Sequence, residues 1–232
     1  MMPKLSINCN GLCRYLVGNL QASSEVEGCI DMDVRAGLFH LCMTVCRIIC
    51  DAHGGSDGGR NPISLKRLGG ILGRTKIFSA TGHMDFYAAD ALLRHVTDAL
   101  IIVEVMTHIK IGSVEEMRTQ MMSLDWHATI TEVVKKWIPP TSVHFNRKVK
   151  TIEERDALLE NAVLLPQHGL IYRALGKAVA QGDSGRIVKQ LHMLTIMFHG
   201  GRQSNYTIQS LEWSAGMLKT WSNDLKRVWF NH

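Results

Sequence analysis

Asp31 and Asp33 stand one residue apart inside Val26–Val34, a stretch whose partial alternation predicts a strand. On a strand they share one face, where two carboxylates can hold a divalent metal or simply form the solvated side. Glu104 is the third acid of chemical interest. It falls within the apolar run Ala99–Met106, where a carboxylate must find a partner or carry a raised pKa. Asp31, Asp33 and Glu104 are the only candidates for catalysis, and none belongs to a recognisable catalytic motif.

Other chemistry-bearing residues are weaker as sites. Cys42, Cys46 and Cys50 form a stripe on a predicted helix over Leu38–His53. The outer two lie about 12 Å apart along a helix axis. Zinc–sulfur bonds of about 2.3 Å cannot span that, so the stripe reads as buried thiols. The histidines are scattered, with neither an HExxH pair nor a His/Cys cluster, and no metal site is expected. Gly182-Asp-Ser-Gly185 matches the surroundings of a serine-protease nucleophile. It sits in a helical pattern, though, and that chemistry needs a base and an acid on a β-rich scaffold. The glycine-rich loop His53–Arg60 has neither phosphate-cradle layout.

Basic residues give the clearest local bias. From Gly58 to Met84 the chain carries Arg60, Lys66, Arg67, Arg74 and Lys76 and no acid. A second basic group, Arg147, Lys148 and Lys150, lies in the connector Thr141–Lys150. Both are candidate contacts to a nucleic-acid backbone, although Phe78 is the only aromatic interleaved with the first. The formal charge of +5 permits an acidic partner without demanding one.

The elements that position these residues are helices. A long helix runs from Asp85 to Thr107 with a stripe of Phe86, Ala89, Leu93, Val96, Leu100 and Val103. Its second half is apolar nearly all round and should be buried. Asp90, Arg94 and Asp98 form a ladder of opposite charges beside the stripe. Ser113 and Glu116 form a capping box, as do Thr151 and Glu154. Asp125 caps a helix to Trp137, which Pro139-Pro140 ends. Pro166 breaks or kinks the next helix, and a further one reaches Ala180. Gly182 closes it in a left-handed turn, Asp183 or Ser184 caps its successor, and Arg186 braces the cap as an ion pair. Ser204 or Asn205 caps a helix through Leu218, and Ser222 caps the last.

The fold class is therefore mainly α, a multi-helix bundle with at most one or two short N-terminal strands. Residues 1–34 form a poorly defined segment. Residues 35–232 form a helical domain, with subdomains 35–140 and 151–232 joined by the basic connector. The longest wholly apolar run, Ala99–Val103, is far too short to span a bilayer. Six cysteines without a CxxC pair or a secretory leader point to reduced thiols inside the cell, in nucleus or cytoplasm. The helical pattern is still running at His232, which gives the expectation of a fragment. A protein partner or missing flanking domain would then cover its helices.

Several strings resemble the domain-of-unknown-function family 6589 of fungi. They are Gly37-Leu-Phe-His40, Asp85-Phe86, Gly182-Asp-Ser-Gly-Arg186 with its apolar helix, Gly201-Arg202, Tyr206–Leu211, and the Trp221…Leu225…Asn231 ending. The resemblance covers Val34–His232 and implies an association with mobile elements. Members tend to carry a Gly-Asp-Gln segment upstream and an acidic Glu-His-Asn segment downstream. In a ribonuclease-H-like nuclease or transposase such pieces would supply magnesium-binding acids. This chain has neither piece, and has Gln209 where the family often has Glu. The resemblance thus implies a non-catalytic helical fragment without cofactor, ahead of a nuclease remnant using magnesium or a nucleic-acid-binding module.

Overall fold

The computed structural model describes residues 6–9, 33–55, 61–77, 84–137 and 157–220. These residues are mainly helical, as the cap and stripe pattern requires. The chain divides into two compact units. One comprises Met1–Ile48 with Tyr172–His232, the other Ile49–Ile171.

In the first unit, β1 (Ser6–Cys9) and β2 (Asp33–Ala36) pair in parallel, with Ser6 opposite Asp33 and Cys9 opposite Ala36. Helix α1 (Leu38–His53) follows at once and begins in this unit. It buries Leu41, Cys42, Val45, Cys46 and Ile48. The three-to-four-residue spacing of that set explains the burial, because one face of a helix returns every 3.6 residues. Helix α6 (Ala157–Gln181) contributes its second half, with Tyr172, Leu175 and Ala178 inside. Gly182, at φ +65°, then turns the chain in the left-handed region, which costs a residue without Cβ little.

Helix α7 (Ser184–Gly200) starts at that corner. Asp183 Oδ1 accepts from the Arg186 amide at 2.8 Å, and Arg186 Nε reaches Asp183 Oδ2 at 3.2 Å. One carboxylate therefore satisfies an orphan amide and holds a cation in the first turn. Helix α7 buries Ile187, Leu191, Leu194, Met197 and Phe198. Helix α8 (Ser204–Ala215) returns along it and continues as a single π turn, Gly216–Thr220. Neither Ser204 nor Asn205 caps it. The N-cap position is Gln203, which makes no side-chain cap bond.

In the second unit, the end of α1 leads to α2 (Leu65–Ile71), a 3₁₀ turn (Thr75–Ile77) and α3 (Phe86–Ile109). Then come α4 (Val114–Gln120), α5 (Trp126–Trp137) and the first half of α6. Asp85 and Asp125 cap α3 and α5 through the amides of Ala88 and Ala128. Ser113 Oγ accepts from the Glu116 amide while Glu116 accepts from the Gly112 amide, a reciprocal cap. The core includes Ile49, Leu65, Ile77, Ala89, Leu92, Leu93, Val96, Val105, Val133 and Leu165.

Two local expectations differ from the structure. Pro166 does not end a helix but lies inside α6, which runs unbroken from Ala157 to Gln181. A proline removes one backbone donor and crowds the turn before it. Buried Leu165 and close-packed Gly169 on either side offset that loss. The end of α3 is also less buried than its composition implies. Val105 is inside, but Ile102 and Val103 are exposed. Deeper on the same helix, Thr97 meets Gly169 of α6 so closely that a Cβ on Gly169 would lie 2.1 Å from Thr97 Oγ1.

Candidate functional site

The acids singled out by the sequence fall on different segments of the chain. Asp31 lies outside the described residues. Asp33 opens β2 in the first unit, and Glu104 lies on α3 in the second. Burial pushes the Glu104 carboxyl above its ordinary 4.5, because the charged form loses solvation. Among the described residues, no three His, Cys, Asp or Glu side chains are placed to hold one metal ion.

Of the basic residues, Arg60, Arg147, Lys148 and Lys150 lie outside the described set. Lys66 and Arg67 stand on α2, whose N-cap Ser64 accepts from the Arg67 amide at 3.4 Å. Arg74 follows in the turn and donates its amide to the Gly69 carbonyl at 2.6 Å. Lys76 is in the 3₁₀ turn. Arg67 is exposed and Lys66 and Arg74 half-buried, so these three make a basic corner on one short stretch.

The second unit also assembles a polar cluster of residues far apart in sequence. His53, at the end of α1, is 2% exposed. Its Nδ1 is 2.8 Å from Asn161 Oδ1 and its Nε2 is 2.9 Å from His168 Nδ1, both on α6. The proton positions follow from donor and acceptor chemistry. An amide oxygen only accepts, so His53 carries its proton on Nδ1. Burial pulls the His53 pKa below 6.5, and the Asn161 bond opposes this more weakly, which favours the neutral ring. In that ring Nε2 accepts and His168 Nδ1 donates.

An exposed apolar group lies on α8. The inner side of this helix holds Gln209, Ser210 and Trp213, the last only 5% exposed. Thr195 and Ser210 hydroxyls meet at 2.9 Å, and the Phe198 and Tyr206 rings lie 5.4 Å apart, which seats α8 against α7. The Gln209 Nε2 is buried with no hydrogen-bond partner among the described residues. The opposite side carries Ile208, Leu211 and Ala215, and Leu218 lies in the π turn that follows. These leucines are 54% and 79% exposed and Ile208 is 53% exposed. Helix α8 thus buries Gln209 and Ser210 beside Trp213 and leaves Ile208 and Leu211 outward among polar residues such as Ser204 and Asn205.

A family model described as "Family of unknown function (DUF6589)" matches residues 19–232. The chain belongs to DUF6589. Neither curated proteins nor solved structures give a match. The DUF6589 match takes in both units, and with them the His53 cluster, the basic corner on α2 and the exposed side of α8. No described helix of this DUF6589 chain is long and apolar enough to cross a membrane.

Two of these features were missed by sequence reasoning. The His53 cluster left one trace: Asn161 and His168 lie seven residues apart, on one face of a helix. The outward side of α8 left only the apolar residues Ile208 and Leu211 in a predicted helix, with no sign of which way they face.

Proposed function

We propose that this chain is a non-catalytic helical docking module, and that its working surface is the outer side of α8. The observation that carries the reading is the exposed hydrocarbon of Ile208 and Leu211 on that helix. Contiguous exposed hydrocarbon marks a surface that meets another surface, and scattered single residues do not. Ile208, Leu211 and Ala215 lie together on one helix, and exposed Leu218 follows in the π turn. Thermal unfolding of two variants of the full chain tests this. Leu211→Glu should leave the midpoint within about 2 °C, since exposed positions contribute within about 0.5 kcal/mol. Trp213→Ala should lower it strongly, since emptying a buried aromatic site costs about 3–5 kcal/mol. A Leu211→Glu protein as unstable as Trp213→Ala would mean that the fold itself covers this side, and the reading would fail.

A second reading, contact with a polyanion such as nucleic acid, is favoured by the acid-free stretch Gly58–Met84 and its Lys66, Arg67 and Arg74. Phosphate contacts release counterions, so binding to a duplex should weaken steeply with salt. Binding that ignores salt, or that survives Arg67→Glu with Arg74→Glu unchanged, would remove it. A magnesium-dependent nuclease reading has only Asp31, Asp33 and Glu104 to draw on. A nicking assay with magnesium, comparing the parent chain with their alanine variants, tests it.

A further inference from the structure

We propose that His53 and His168 form an acid-operated latch, which holds the end of α1 on α6 until both rings are charged and then releases it.

The grip is local. His53 is the last residue of α1, and Gly54 and Gly55 follow it, the second at φ +81°, so the chain turns away with no further helical turn to hold α6. Both ring nitrogens of His53 are committed to α6, at 2.8 Å from Asn161 Oδ1 and 2.9 Å from His168 Nδ1. The two imidazoles meet edge to face, with centroids 5.1 Å apart.

The number of protons decides whether the pair holds. With none added, His168 Nδ1 donates to His53 Nε2. A first proton on His168, the half-buried ring, leaves that donor in place and makes the bond charge-assisted. A second proton enters at His53 Nε2 and fills the lone pair that was accepting. Two N–H groups and two like charges then face each other where one hydrogen bond stood. The pair titrates as a unit, and its last step is the one that breaks the contact.

The surroundings do not offset that last charge. No carboxylate among the described residues bonds to His53; its hydrogen-bond partners are Asn161 and His168. Helix α2 reaches this point through the Lys66 amide, which donates to the Gly54 carbonyl at 3.2 Å, and α3 meets α6 at Gly169, next to His168. The titratable and charged groups on these elements are Cys50 and Asp51 of α1, Lys66 and Arg67 of α2, Asp98 of α3 and Glu160 of α6. Asp51 is exposed, and the two cations of α2 add to the repulsion. Burial opposes a charge on His53, and the Asn161 bond offsets this only in part.

Hydrogen exchange of the full chain between about pH 7.5 and 5, the range in which histidines titrate, tests the latch. The amides of Ile49–His53 report the end of α1, and those of Leu191–Phe198 in α7 serve as the control in the other unit. After correction for the intrinsic pH dependence of exchange, opening at the end of α1 should be constant above about pH 7 and rise by up to about tenfold per pH unit below about pH 6, while α7 stays level. His53→Gln should make the opening independent of pH, whatever its level. His168→Gln, which keeps a donor toward His53 Nε2, should stay closed at neutral pH and still open in acid. Nitrogen-15 spectra of the rings should show the His53 proton on Nδ1 at neutral pH, and His168 taking up its proton before His53. A flat profile in the parent overturns the proposal, as does an equal rise in His53→Gln or a rise in α7 that keeps step with α1. If His53→Gln fails to fold, the parent's ring spectra decide: a His53 proton on Nε2, or His53 charging first, overturns the latch.

Discussion

Gly169→Ala should force α3 and α6 apart within the second unit. The new methyl would lie 2.1 Å from Thr97 Oγ1, 2.9 Å from its Cγ2 and 3.0 Å from its Cβ. Favourable contact between such atoms begins near 3.5 Å, so the backbones must separate by more than about 1 Å or Thr97 must rotate. Rotation breaks the 2.7 Å bond that Thr97 Oγ1 donates to the Leu93 carbonyl. Against this, alanine is a better helix former than glycine by about 1 kcal/mol. Overpacking of this kind costs about 1–3 kcal/mol and a lost buried hydrogen bond about 1 kcal/mol, so the net change should be a destabilisation of about 1–3 kcal/mol. Thr97→Ala removes the two nearest atoms and leaves only the 3.0 Å contact. The double variant should therefore be more stable than the sum of the single losses, by about 1–2 kcal/mol. Urea unfolding of all four proteins at fixed pH measures that coupling. Additivity within about 0.5 kcal/mol would refute the close crossing of these helices.

Three further outcomes follow from other side chains. His53 has a folded pKa below its unfolded 6.5, so it binds fewer protons when folded. Its contribution is intact above pH 6.5 and is lost as the pH falls through 6.5 toward the folded value, with a slope of at most about 1.4 kcal/mol per pH unit. His53→Gln should flatten that part of a stability–pH curve, and an unchanged curve would count against a neutral buried His53. Asp183→Ala should lower stability by about 1 kcal/mol by uncapping α7, whereas Asp183→Asn should keep most of it; equal losses would mean that the ion pair with Arg186 outweighs the cap. Gln209→Leu should raise the unfolding midpoint, because it removes a buried donor whose desolvation costs about 1–3 kcal/mol; a lower midpoint would show that the amide has a partner.

Helix starts were the most legible part of the fold. Asp85, Ser113, Asp125 and Asp183 each satisfy an amide within three residues, so the information is local. Leu38–His53 was readable throughout because its stripe and its glycine-rich exit agree. Pro166 misled because its local penalty is overridden by packing that only the folded chain supplies. The outer side of α8 was not legible, because spacing fixes a face without fixing which neighbour it meets. Nothing in the sequence pairs His53 with Asn161 and His168, which are 108 and 115 residues away.

The thiol stripe on α1 gives this chain an internal clock. Cys42, Cys46 and Cys50 are reduced and buried, and a thiolate must reach solvent before it can be alkylated. Helix α1 passes from one compact unit into the other, with Cys42 and Cys46 before the division and Cys50 after it. In a protein whose Cys9, Cys13 and Cys29 are replaced by serine, the labelling rate at each position times the opening of its own unit. Equal rates would mean that the helix couples the two units into one unfolding event, and a faster Cys50 would mean that the second unit opens first.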